Sequence, residues 1–267
     1  MITFKNFNYK YIESKQLNIE NLSLEINRGE CVLFTGASGC GKTTIMRVLN
    51  GLAPEFFDGG FSGELKVAYL NIGDRLKEFS RVVGSVFQNP KSQFFNVDST
   101  GELVFGCENQ NLDREIIRER LEKTKNDMQI EALMNRNIFE LSGGEKQQIA
   151  VGSAYTAAPE VYVFDEPSSN LDKKAIKRLR DILTKIKASG KTVVVSEHRI
   201  FYLLGLADRF IYMDDGRITG SYTAKEVSDF SDEELKEKGL RLPDLTRLNN
   251  IGKVYNEQTD KTTAVDV

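Results

Sequence analysis

Residues 36–43 read Gly-Ala-Ser-Gly-Cys-Gly-Lys-Thr, a fit to G-x-x-x-x-G-K-[ST]. They stand between an apolar run, CVLFT at 31–35, and a helical pattern through Ile45, Met46, Val48 and Leu49. Glycines at this spacing let successive backbone N–H groups turn inward around an anion. The helix that follows aims its N-terminus at the same point. Lys42 would reach the β- and γ-phosphate oxygens as a point charge, and the Thr43 hydroxyl would ligate Mg²⁺. Gly36, Ala37, Ser38, Gly39, Cys40, Gly41, Lys42, Thr43 and Thr44 are thus the expected cradle for ATP. A chance match would not come with a buried strand before it and a helix after it.

The rest of the chain repeats that alternation. VYVFD at 161–165 and KTVVVS at 191–196 are short apolar runs, as in strands covered on both faces. RVVGSVF at 81–87 reads as a strand ending at Gln88, and Leu22, Leu24 and Ile26 as a half-exposed one. DRFIYMDDGR at 208–217 reads as an edge hairpin turning at 214–216. Between these lie a helix opening at Ser142-Gly143-Gly144 and running to about Ala157, and an amphipathic basic helix over 172–189. Alternating strands and helices predict a parallel sheet with helices on both faces. Residues 99–135 read as helical, and a block at about 90–145 interrupts the alternation as an inserted helical subdomain. We expect one domain over 1–220 and a small C-terminal region over 221–267, whose end is expected to be disordered.

Chemistry-bearing residues fall at strand ends. Asp165 and Glu166 follow VYVF, where Asp165 can hold Mg²⁺ and Glu166 can act as general base on a hydrolytic water. Taken alone, the pair is also what a solvated strand end looks like. Gln88 could touch both Mg²⁺ and the attacking water. His198, the single histidine, could hydrogen-bond a γ-phosphate. Taken alone, each is a common loop residue. Ser142 is a good N-cap with Glu145 at the third helical position. Capping does not explain the glycine pair after it, and a second anion site at this helix start would be used by another copy of the chain.

Together these stretches resemble an ABC-type ATPase. GASGCGKT is similar to the Walker A loop, Gln88 to the Q-loop and LSGGEKQQ at 141–148 to the signature. VYVFDE is similar to the Walker B strand, SSNLD at 168–172 to the D-loop and His198 to the switch histidine. The resemblance implies a P-loop NTPase fold with an antiparallel N-terminal β subdomain. It implies ATP sandwiched between two cassettes, with Ser142, Gly143 and Gly144 acting on the nucleotide of the other subunit. It further implies an aromatic stacked on adenine, at Tyr9 or at its rival Tyr11. Within the family, VGSVFQNPKSQFFNVDSTGELVFGCEN is similar to energy-coupling-factor ATPases of vitamin and metal-ion uptake. Gln88, Pro90, Gln93, Phe95, Glu102, Phe105 and Gly106 match their pattern. The tail ELKEKGLRLPDLTRL resembles their C-terminal region. Lys91 and Ser92 replace two acids that face the membrane partner's coupling helix, and SEHR replaces the commoner THD. The implied partners are a second ATPase subunit, identical or related, a transmembrane coupling subunit and a substrate-binding membrane subunit. The implied location is peripheral, on the cytoplasmic face of the membrane.

Composition closes off other classes. Net charge is −3, so no basic field points to nucleic acid. No apolar run approaches the roughly 18 residues of a membrane span. The N-terminal MITFKNFNYKY lacks a signal-peptide pattern. Cys31, Cys40 and Cys107 form no CxxC pair and read as reduced thiols. A non-transport ABC ATPase with a mechanical or regulatory task is the alternative. Repair-type members carry a long coiled-coil insert, and translation-type members two cassettes; neither pattern is present in these 267 residues. Lys42→Ala is expected to abolish nucleotide binding or turnover, measured by ATP titration and phosphate release; full turnover by that variant would sink the phosphate-cradle reading.

Overall fold

A computed structural model describes residues 1–234 apart from Asn170 and Asp232. The first strand, β1 (Ile2–Tyr11), pairs antiparallel with β2 (Ile19–Ile26) and with β4 (Gly59–Val67), which turns back into the short β5 (Leu70–Asn71). These four form one sheet in the order β2-β1-β4-β5. The second sheet is built from β3 (Cys31–Gly36), β6 (Val83–Val86), β7 (Val161–Asp165), β8 (Thr192–Ser196), β9 (Arg209–Asp214) and β10 (Arg217–Tyr222). Its order is β10-β9-β3-β8-β7-β6, parallel throughout except for the β9–β10 hairpin.

The apolar runs are continuous because the six-stranded sheet is covered on both faces, and alternate residues serve different cores. Leu33, Phe164 and Val195 pack toward α6 (Gly143–Ala157) and α7 (Lys173–Ala188). Phe34, Val163 and Val194 pack toward the antiparallel sheet and α1 (Lys42–Leu49). Helix α7 buries Ile176, Leu179, Ile182, Leu183 and Ile186, one stripe at helical spacing, and Asp172 caps it by accepting from the Ala175 N–H. Short α2 (Leu52–Glu55) and α3 (Leu76–Val82) join the sheets. Between β6 and β7, α4 (Ser99–Asn109), α5 (Arg114–Met128) and α6 form the helical subdomain. The observed architecture is the α/β P-loop fold expected from the sequence.

Three local expectations are corrected. Arg81 and Val82 are the end of α3, not the start of a strand, because Phe79 and Val82 are buried through helical spacing. The helical block over 99–135 is broken between α4 and α5, where Asn111 adopts φ 55° and Asp113 stands at the N-cap of α5. The predicted edge hairpin places only β10 at the edge, since β9 pairs in parallel with β3. At the C-terminal side, β10 runs through residue 220 to Tyr222, and α8 (Ala224–Ser228) comes next with a Thr223–Glu226 capping box. The expected disordered end and the tail resemblance lie outside the described residues from 235 onward. Among the described residues no helix is long and apolar enough to cross a membrane.

Leu33, fully buried in β3, gives the test of this packing. Leu33→Ala is expected to cost about 2–5 kcal/mol, read from the urea midpoint; an unchanged midpoint would contradict the two-core arrangement.

Candidate phosphate site at the strand ends

The loop after β3 is shaped by glycines that nothing larger could replace. Gly36 has φ 142°, and a Cβ there would lie 2.1 Å from the Met213 carbonyl oxygen. Gly41, the N-cap of α1, has φ 104° and would meet the Asn18 carbonyl oxygen at 2.7 Å. Ala37, Ser38 and Gly39 are exposed on the rim, while Cys40 is buried beneath it. Lys42 is buried, and its ammonium donates to the carbonyls of Gly36 at 3.0 Å and Ala37 at 2.9 Å. The loop is therefore closed around its own cation, with α1 pointing its N-terminus into the turn.

Facing this loop are the ends of β6, β7 and β8. The Thr43 hydroxyl donates to Asp165 Oδ1 at 3.4 Å, and the Ser196 hydroxyl donates to the same oxygen. Gln88 Nε2 donates to Glu166 Oε2 at 2.9 Å, and His198 Nε2 lies 3.1 Å from Glu166 Oε1. Lys42, Thr43, Gln88, Asp165, Glu166 and His198 are thus gathered at one edge of the sheet. Thr44 is buried on α1 just behind them.

The two adjacent carboxylates titrate in opposite directions. Burial pushes Asp165 above its ordinary value, with hydrogen bonds from Ser196 and Thr43 opposing. The hydrogen bond from His198 holds Glu166 below its ordinary value, against burial. Glu166 also carries a backbone feature that the sequence does not announce. Its φ is 44°, in the left-handed region, held by its N–H donating to the Ser196 carbonyl at 3.0 Å. A non-glycine residue there stores about 1–3 kcal/mol.

A hydroxyl, a carboxylate and an amide oxygen from Thr43, Asp165 and Gln88 make a hard, all-oxygen donor set of the kind Mg²⁺ takes.

Tyr9 requires a correction. It is fully buried, its hydroxyl donates to the Phe57 carbonyl at 2.6 Å, and burial raises its pKa to about 12. No face of that ring is open to a base. Tyr11, packed edge-on against Tyr9 at 5.0 Å between centroids, is half-exposed. Its hydroxyl donates to Thr44 Oγ1 at 3.3 Å and accepts from Arg47 at 3.2 Å. Tyr11 lines an open groove of about 610 Å³ with Arg47, Phe56, Phe57 and Asp58. The Arg47 guanidinium lies 3.8 Å from the Phe57 ring centroid. The available signal for them was position: Arg47 stands one turn beyond Thr43 on α1, and Phe57 comes just after α2.

Ser142 is not gathered with the others. It caps α6 in a box, its hydroxyl accepting from the Glu145 N–H at 3.3 Å and its own N–H donating to Glu145 at 2.8 Å. With Gly144 it lines a separate open groove beside Asp172, Lys174 and Arg178. A Cβ on Gly143 would meet nothing within 4 Å, and one on Gly144 only Leu171 at 3.9 Å.

A glycine-bound lysine loop, an apolar strand ending in two carboxylates, and an insert carrying the capped Ser-Gly-Gly helix define an ATP-binding cassette. The ABC transporter family profile matches residues 19–169, more than half of the chain, and the chain belongs to that family. A Treponema denticola protein named as an ABC transporter ATP-binding protein is 48% identical over 246 residues, covering 92% of this chain and 50% of its own length. One from Sulfurisphaera tokodaii is 34% identical, covering 98% of this chain and 55% of itself. The chain thus spans about half the length of the curated relatives it matches. Among solved structures, the ATP-binding cassette MJ0796, a dimer in a post-hydrolysis state with ADP and Pi, superposes with TM-score 0.74 at 25% identity, covering 84% of this chain and 99% of that one. The cbiO1 protein from Clostridium perfringens, part of the ABC transporter complex cbiONQ, superposes with TM-score 0.76 at 25% identity, covering 96% and 98%. The chain has the fold of an ATP-binding cassette of that family.

The two tyrosines give a contrast. Tyr11→Ala is expected to weaken ATP binding with little loss of stability. Tyr9→Phe, which strands a buried carbonyl, is expected to cost about 1–3 kcal/mol of stability and leave affinity unchanged. Calorimetric titration and thermal melts check both, and the reverse pattern would return the adenine site to Tyr9.

Proposed function

We propose that this chain binds and hydrolyses Mg-ATP at the strand-end site and drives an energy-coupling-factor type importer of a vitamin or metal ion. The observation that carries the hydrolytic reading is the Gln88–Glu166–His198 cluster directly across from Lys42. Lys42 exchanges its two loop carbonyls for β- and γ-phosphate oxygens. The backbone N–H groups of 37–43 and the start of α1 hold the same anion. Thr43, Asp165 and Gln88 would hold Mg²⁺, which supplies neutralising charge on the phosphates. Glu166, kept ionised by His198, accepts the proton of the attacking water, and Gln88 and His198 orient its carboxylate. Tyr11 gives adenine a stacking face.

Residues 1–220 are proposed as the nucleotide-binding domain, with residues 90–145 its helical subdomain and 221–267 an appended region. A second cassette, the same chain or a relative, supplies the Ser142-Gly143-Gly144 terminus to the γ-phosphate. The dimeric state of MJ0796 supports this pairing. The likeness to cbiO1 along nearly the whole chain supports a transmembrane coupling subunit, a substrate-binding membrane subunit and a peripheral site at the cytoplasmic face. So does an exposed apolar patch after Gln88. Phe95 is 77% exposed while stacking on Phe105, and Val97 and Phe139 are exposed nearby.

Glu166→Gln is expected to bind ATP, lose turnover by about 10²-fold or more and accumulate as a closed dimer. Phosphate release and size-exclusion chromatography with ATP measure these. Wild-type turnover by this variant would overturn the base assignment. A pull-down from detergent-solubilised membranes tests the importer reading, which recovery without any membrane subunit would overturn.

A further inference from the structure

The residue before His198 is an acid, and it is almost completely buried: Glu197 is 2% exposed. A carboxylate taken out of water is costly unless its acceptor sites are filled. Here they are filled by four donors. Oε1 accepts from the Ser168 N–H at 2.9 Å and the Tyr202 hydroxyl at 3.0 Å. Oε2 accepts from the His198 N–H at 2.9 Å and the Arg199 N–H at 3.1 Å. Two oxygens with about two lone-pair sites each can take no more. The backbone of Glu197 is fixed as well, its N–H donating to the Phe34 carbonyl at 3.0 Å.

These donors belong to two loops that the chemistry needs in register. Ser168 lies two residues after Glu166, whose left-handed φ leaves its carboxylate direction dependent on the path of the 167–169 turn. His198 comes directly after Glu197. Arg199 adds a strand to the same tie, donating to the Ser168 carbonyl at 3.4 Å. One buried charge therefore holds the turn after β7 and the turn after β8 together, and its ends converge on the 3.1 Å His198–Glu166 contact.

We infer that Glu197 is a positioning residue for hydrolysis: its buried carboxylate clamps the Ser168 turn to the His198 turn and so sets the geometry of the Glu166–His198 pair. It does not touch the nucleotide and acts only through that pair. The inference rests on the hydrolytic reading of the site given under Proposed function.

Glu197→Gln is the discriminating variant. An amide keeps the shape but turns one acceptor into a donor. In either flip its NH₂ faces a backbone N–H, that of Ser168 or those of His198 and Arg199. In the full-length protein, kcat for ATP hydrolysis is expected to fall at least about tenfold, since small displacements of reacting groups carry large rate costs. The ATP dissociation constant is expected to stay within about twofold, since the loss is confined to the transition state. In a cycle with His198→Ala, the two losses should not multiply, because both act on one contact. Should Glu197→Gln fail to fold, Tyr202→Phe removes one donor while three remain, and the same cycle is read on it. Losses that multiply, an unchanged kcat, or nucleotide affinity falling in step with kcat would each overturn the inference. If the wild-type protein showed no ATP turnover, the hydrolytic reading would fail first and take this inference with it; turnover with multiplying losses would remove the inference alone.

Discussion

The site depends on strand register in the parallel sheet. Asp165 of β7 pairs with Ser196 of β8, and Phe34 of β3 pairs with Ser196 from the other side. Three neighbouring strands therefore end at the same level, and the loops after them emerge together, as ligand sites do outside the carboxyl ends of open parallel sheets. Register is locked from both faces. A slip of one residue would exchange Phe164 with Val163 and Leu33 with Phe34 between cores built for different side chains. The same slip would turn Asp165 away from Thr43. Core packing and the geometry of the strand-end site are one constraint here.

On that frame the protein separates two carboxylates that are adjacent in sequence. Asp165 continues β7 into the sheet end and is desolvated, while Glu166 turns into the left-handed region and projects toward Gln88 and His198. Pairs of acids pushed apart in this way mark a division of labour. The backbone turn at Glu166 creates the division, and the hydrogen bond to Ser196 sustains it.

How much of this was legible depends on how local each signal is. The phosphate loop reads directly, because glycines at Gly36 and Gly41 are required by backbone shape that no other residue takes. The central strands read directly because burial on both faces makes them uniformly apolar. The amphipathic stripe of α7 reads from its period. Tyr9 could not be separated from Tyr11 because the two fall on the same face of β1, two residues apart, where parity draws no distinction. Nor does β1 keep a single alternation along its length. Asn6 has φ 44°, and the pairing with β2 shifts between Phe4 and Phe7 and again between Phe7 and Tyr9. Phe4, Phe7 and Tyr9 are all inward although Phe4 and Phe7 differ in parity. The left-handed turn at Glu166 and the four donors around Glu197 are products of tertiary packing. In sequence Glu197 is visible only as an acid next to a histidine.

The glycines carry a further distinction between folding and function. Gly36 and Gly41 are demanded from within: a side chain at either would strike the chain's own backbone, and both have positive φ. Gly143 and Gly144 are not. Their backbone is ordinary helix, and a methyl group on either would meet open space or a contact no closer than 3.9 Å. Glycine in a helix costs about 0.5–1 kcal/mol relative to alanine. A pair of them at the first turn of α6, where the cap already satisfies Ser142 and Glu145, is a loss of stability with no return inside this chain. The return is expected from outside it, where bare backbone N–H groups at a helix start can approach an anion more closely than any side chain allows.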